Sequence, residues 1–141
     1  MDERSKIITV ETSITAPIEH VWECWTSPRH IVNWNFAGDD WHCPSAENEA
    51  KSGGKFKWRM EAKDGSMGFD FEGIYDEVKE KELITYKMSD GRAVHISFSV
   101  LGDEIKLSES FEPEGTNSDE MQRTGWQAIL NNFKKYVEST K

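Results

Sequence analysis

Between Lys55 and Phe111 the apolar residues recur at every second position. Phe56, Trp58 and Met60 alternate with Lys57, Arg59 and Glu61, so one face is apolar and the other charged. A period of two marks strands with one buried face. Asp64-Gly65 predicts a type I′ hairpin after the first strand. Phe69, Phe71, Gly73 and Tyr75 then share a face, and "EVKEKEL" reads as a charged turn. "LITYKM" is a further strand, closed by a second Asp-Gly at Asp90-Gly91. "AVHISFSV" places Val94, Ile96, Phe98 and Val100 on one face and His95 on the other. After Gly102-Asp103, "EIKLSESF" aligns Ile105, Leu107 and Phe111. The block predicts an antiparallel meander.

The flanks follow other rules. "IITVETSI" puts Ile8, Val10 and Ile14 on one face of a half-buried strand. In "APIEHVWECWTSPRHIVNW" the period lengthens, with Ile18, Val21, Trp22 and Trp25 at helical spacing. Pro17 suits a first helical position, and Ser27-Pro28 opens a second, short helix with Ile31 and Trp34 on its inner side. Residues 35–55 are rich in Gly, Asp, Asn and Ser and read as one long connection of the kind that often carries function. At the C-terminal end, Ser118 or Asn117 caps a helix with Asp119 and Glu120 in its first turn. Trp126, Ile129, Leu130, Phe133 and Val137 form its apolar stripe, and Lys134 and Lys135 lie toward its negative end.

This order predicts an α+β domain: a strand, two short helices, a curved antiparallel sheet and one long helix covering the sheet. A helix about 10–12 Å wide cannot fill the concave side of a strongly bent sheet. The leftover space is a cavity, the default place for a small ligand.

Charge narrows the partners. Seventeen basic against twenty-six acidic residues give a net charge of −9. Phosphate backbones and anionic membranes are bound through Lys and Arg, so neither nucleic acid nor a membrane surface is expected as a partner. No apolar run reaches the ~20 residues that span a bilayer, and "MDERSKIITV" does not read as a secretory signal. Two cysteines, Cys24 and Cys43, make no disulfide framework, which points to the cytoplasm.

The stretch "GDDWHCPSAENE", residues 38–49, gathers the residue types that bind metals. His42 and Cys43 are adjacent, however, and neighbours seldom chelate one ion; His20, His30 and His95 belong to other elements. The same adjacency argues against a Cys43–His42 nucleophile, and Cys24, on an apolar helix, reads as an inert thiol. No metal or other cofactor is expected. The stretch reads instead as a pocket rim, with Trp41 as wall and His42 as polar contact. Glu109 shares the inward parity of Leu107 and Phe111, so it is either paired or a ligand contact.

Taken together, "APIEHVWECWTSPRHIVNW", "DDWHCPSAENEAKSGGKFKWRMEAKDG", "FEGIYDEV" and "GWQAILNNFKKYVE" resemble the SRPBCC superfamily of helix-grip, lipid-transfer-like domains. The branch they resemble is related to the C-terminal domain of the activator of the heat-shock protein 90 ATPase. The resemblance runs from about Ile8 to Glu138 and implies one START-like domain over residues 1–141. The fold then expected is a helix grip, the curved sheet wrapped around the C-terminal helix.

The residues expected to line its cavity are Trp34, Trp41 and His42 from the first third. Trp58, Met60, Phe69, Phe71, Phe98 and Glu109 come from the strands, and Trp126 and Leu130 from the last helix. The expected function is binding of a small, largely apolar molecule by a carrier, sensor or stress-related protein. Two others stay open: a co-chaperone module that contacts the chaperone, and a cyclase- or hydrolase-type enzyme using His42, Glu109 or Asp40. Burying ~300 Å² of apolar ligand supplies roughly 7 kcal/mol before binding costs, so a purely apolar site binds at best near micromolar.

Overall fold

The computed structural model describes residues 7–141. The first six residues of "MDERSKIITV", on which the reading against a secretory signal depends, lie outside them. Strands β1 (Ile8–Ile14), β2 (Trp41–Asn48), β3 (Lys55–Ala62), β4 (Gly68–Lys79), β5 (Leu83–Met88), β6 (Ala93–Leu101) and β7 (Glu104–Phe111) form one sheet. Its order is β1-β7-β6-β5-β4-β3-β2, antiparallel throughout. The chain starts on one edge and crosses to the other through α1 (Ile18–Thr26) and α2 (Pro28–Ile31). It then returns strand by strand, and α3 (Asp119–Thr140) lies across the concave face. This is an α+β helix-grip architecture, a curled half-barrel around its C-terminal helix.

The alternation sorts the side chains. Phe56, Trp58, Met60, Ile84, Tyr86, Val94, Ile96, Phe98, Ile105 and Leu107 are all buried. The α3 stripe meets them: the Trp126 ring stacks on Phe111 at 3.9 Å, and Phe133 meets Trp25 edge-on at 4.9 Å. The other side of α3 seals the open edge of β1. Arg123 donates to the Thr9 carbonyl at 3.0 Å and Gln127 to that of Glu11 at 3.1 Å. Lys134 donates to the Ser13 carbonyl, and Lys141 to that of Thr15 at 2.7 Å. An edge strand otherwise leaves such groups free to pair with another chain. Lys134, expected to answer the helix dipole, thus serves the sheet edge and pairs with Glu138 at 3.2 Å.

Four expectations change. Residues 35–55 are not one loop, because "WHCPSAEN" forms β2. Its alternation is hidden by a register shift between His42 and Ser45, where Pro44, lacking an N–H, sits on an edge strand. Asp64-Gly65 is not a type I′ turn, since only Gly65 has a positive φ there; Asp64 instead accepts hydrogen bonds from Ser66 N at 2.9 Å and Ser66 Oγ at 2.6 Å. Half of "EVKEKEL" belongs to β4, where a shift between Tyr75 and Glu77 reverses the facing, so Tyr75 and Val78 both turn inward. Val100 is 59% exposed, because β6 runs on past the end of β5, whose pairing with it stops at Ser97.

Gly73 permits the tight curl. A Cβ there would come 2.2 Å from the Lys87 carbonyl oxygen and 2.8 Å from the Phe56 ring, so only glycine lets β3 and β5 close in on β4.

Candidate functional site

Between the concave face and α3 lies a cavity of about 240 Å³. Trp58 and Met60 of β3, Phe69 and Phe71 of β4, and Tyr86 and Glu109 of β5 and β7 form its sheet wall. Gly125, Trp126 and Ile129 of α3 form the opposite wall. Trp25 of α1 and the turn Trp34, Asn35 and Ala37 close one end. The rings hold one another in place: Trp58 stacks on Phe71 at 5.4 Å, and Phe71 meets Trp126 at 6.1 Å. Trp34 stacks on Trp25 at 5.0 Å and donates its Nε1–H to the Cys24 carbonyl at 2.8 Å. Asn132 of α3 pins the turn by donating to the Trp34 carbonyl at 3.0 Å.

α3 contributes no side chain to the cavity wall at Gly125. A Cβ added at Gly125 would meet nothing within 4 Å. A glycine inside a helix costs about 1 kcal/mol relative to alanine. That signal was present in the sequence, directly before Trp126.

The cavity is apolar but not free of polar groups. Glu109 is 6% exposed. It has no hydrogen-bond or ionic partner among the described residues, and burial pushes its carboxyl up to about 8. The Tyr86 hydroxyl is pushed well up, by burial first and then by the neighbouring Glu109. Two further buried groups, Asn35 Nδ2 and Trp58 Nε1, have no hydrogen-bond partner among the described residues. All four residues belong to the cavity wall.

Seven of the expected residues stand on this wall: Trp34, Trp58, Met60, Phe69, Phe71, Glu109 and Trp126. Phe69, 47% exposed, forms the outer lip. Four others stand elsewhere. Trp41 lies outside, against Phe69 at 6.0 Å, because β2 is the far edge of the sheet. His42 faces Glu61 at 3.8 Å on the half-exposed side of the β2–β3 pair. Phe98 is held in solid core by Trp22 at 5.2 Å and Trp25 at 6.1 Å. Leu130, on the α3 face turned to the core, is fully buried there. Trp25, Asn35, Ala37, Tyr86, Gly125 and Ile129 complete the wall. The polar Asn35 and the absent side chain at Gly125 gave hydrophobic patterning nothing to register.

Both thiols are buried, and burial raises each to about 11. A nucleophilic thiolate at neutral pH needs the opposite shift. Among the described residues no three His, Cys, Asp or Glu side chains converge in a way that could hold a metal. A wider surface groove of about 870 Å³ crosses β3–β5 near Gly73, with Lys55, Lys57, Glu72, Asp76 and Lys87 around it. It is open, and its mixed charges answer one another, as in the 3.1 Å pair Lys87–Asp76.

Residues 15–138 match the family described as Activator of Hsp90 ATPase homolog 1-like protein. The solution structure of the AHSA1-like protein from Aeromonas hydrophila is 39% identical, with a TM-score of 0.89 over 95% of this chain and 93% of that one. Chr148 from Cytophaga hutchinsonii is 53% identical, with a TM-score of 0.82 over 94% of this chain and 92% of that one. Protein CV1439 from Chromobacterium violaceum is 24% identical, covers 94% of this chain and 98% of its own, and has a TM-score of 0.84, a likeness of fold alone. No curated protein matches the sequence.

Proposed function

The chain belongs to the Activator of Hsp90 ATPase homolog 1-like family, and from that premise we propose that it receives a small, largely apolar molecule between the sheet and α3, as a carrier or sensor. The observation that carries this reading is the aromatic-walled space of about 240 Å³ left open at Gly125. A cavity of ~150 Å³ takes up benzene, and drug-sized pockets begin near 300 Å³, so the space suits a molecule of one or two rings. The ligand-contact set is then Trp34, Trp58, Met60, Phe69, Phe71, Glu109 and Trp126, joined by Trp25, Tyr86 and Ile129. No described helix is long and apolar enough to cross a membrane, and two unpaired thiols fit a reducing, cytoplasmic setting.

Calorimetric titration with 2-naphthalenemethanol, a neutral two-ring probe, tests the reading. One saturable site near micromolar to tens of micromolar is expected, weakened by filling the cavity through Gly125. No saturable heat up to the probe's solubility would end the proposal.

The family description favours a second reading, a module that contacts the Hsp90 chaperone. Exposed Met67, Phe69 and Met121 offer apolar surface for such a contact. Association with the host chaperone that changes with nucleotide would support it, and nucleotide-insensitive or absent binding would remove it.

A further inference from the structure

We propose that the cavity is built for a small organic cation: a protonated amine on an apolar or aromatic body, its nitrogen seated at Glu109. This rests on the cavity reading above and names the chemistry of its ligand. Glu109 is nine-tenths buried and stands on the cavity wall without a hydrogen-bond or ionic partner among the described residues. A carboxyl group in that position is costly unless a ligand answers it. No Lys, Arg or His is among the wall residues, so among the described residues nothing on the wall competes for Glu109. The wall around it is aromatic (Trp58, Phe71, Tyr86 and Trp126), and ring faces attract cations. The net charge of −9 draws cations in and turns carboxylate ligands away.

The surroundings keep the site responsive. Across the sheet Glu109 lies opposite Val10 and Ile96, neither of which titrates. From α3 it faces the wall residues Trp126 and Ile129, and from β5 the Tyr86 hydroxyl. Arg92, at the β5–β6 turn, is engaged with Asp90 at 2.8 Å. In the empty protein burial holds Glu109 largely protonated at pH 7. An entering ammonium group gives it a counter-charge, so Glu109 ionises and its proton leaves to the buffer.

The test uses three probes with one ring system: 2-naphthylmethylamine, a cation at pH 7; 2-naphthalenemethanol, neutral; and 2-naphthoate, an anion. Each is titrated calorimetrically into the full chain and into Glu109→Gln, in two buffers of different ionisation enthalpy. The amine is expected to bind about tenfold tighter than the alcohol, since a charge-assisted hydrogen bond and a ring contact outweigh the removal of one proton. Its binding releases close to one proton at pH 7 and strengthens up to about pH 8, while the alcohol releases none and the naphthoate stays unbound. In Glu109→Gln the proton release and the amine preference over the alcohol vanish, while an unchanged far-UV circular dichroism spectrum and a cooperative urea transition show the variant folded. Alcohol binding equal to or tighter than the amine, or an amine preference that survives Glu109→Gln, overturns the cation assignment and leaves the cavity reading intact. Failure of all three probes overturns both.

Discussion

Gly125 offers the sharpest handle on the cavity. It lies inside α3, has no neighbour within 4 Å of a Cβ position, and stands on the cavity wall. Alanine there restores helix propensity worth about 0.8–1.0 kcal/mol and meets no clash. For a chain of 141 residues that corresponds to a rise in Tm of about 3 °C. Leucine reaches further into the empty space. If its side chain is wholly taken up, burial adds about 1.5–3 kcal/mol to the gain in propensity. Most glycine replacements inside a packed interface destabilise by overpacking, so the sign itself is diagnostic. The assay pairs urea denaturation with calorimetric titration of 2-naphthalenemethanol. Gly125→Ala is expected to be more stable and to bind more weakly, and Gly125→Leu to be more stable still and not to bind. A leucine variant destabilised by about 1 kcal/mol or more that binds the probe normally would refute the reasoning.

Other outcomes follow from the same structure. Glu109 has a folded value near 8 against an unfolded value near 4.3, so its neutral form is the one the fold favours. The folded state then holds a proton that the unfolded chain has lost, and stability declines as pH rises between those values, by up to about 1.4 kcal/mol per unit. Denaturation from pH 5 to 9 should show Glu109→Gln gaining on the parent up to about pH 8 and then holding level; a difference independent of pH contradicts this. Phe133→Ala removes the ring shared by Trp25 and Trp34 and should cost about 3–5 kcal/mol in urea denaturation. Arg123→Ala and Gln127→Ala, which uncap β1, should each cost about 0.5–1.5 kcal/mol, and the pair should increase self-association in sedimentation. Cys24 and Cys43 should resist a thiol reagent at pH 8 in the native protein and react on unfolding; fast native labelling would contradict their raised values.

Much of the fold was legible in the sequence, because a sheet with one buried face writes itself as alternation. Phe56-Trp58-Met60 and Ile105-Leu107 needed no tertiary information. The reading stopped where alternation is interrupted by design. The shift at Cys43-Pro44 hid β2 inside an apparent loop, and the one after Tyr75 moved Val78 onto the inner face. Parity identified Glu109 as inward-facing but said nothing of its lack of a partner, which depends on side chains from β5 and α3. It also could not separate Phe98, packed under α1, from Phe71, which faces open space: both are inward aromatics, and only the path of the helices tells them apart. Gly125 was missed because hydrophobic patterning counts side chains, and its contribution is the absence of one.

The open space between the sheet and α3 is tested most directly by methyl-resolved NMR of the labelled protein during titration with 2-naphthalenemethanol. Saturable shifts are predicted at Met60 and Ile129 on the cavity wall, together with the indole signals of Trp58 and Trp126. Ile74, Val100 and Leu101 on the outer surface should stay still. Shifts confined to those outer residues, or none that saturate, would contradict a ligand-receiving cavity.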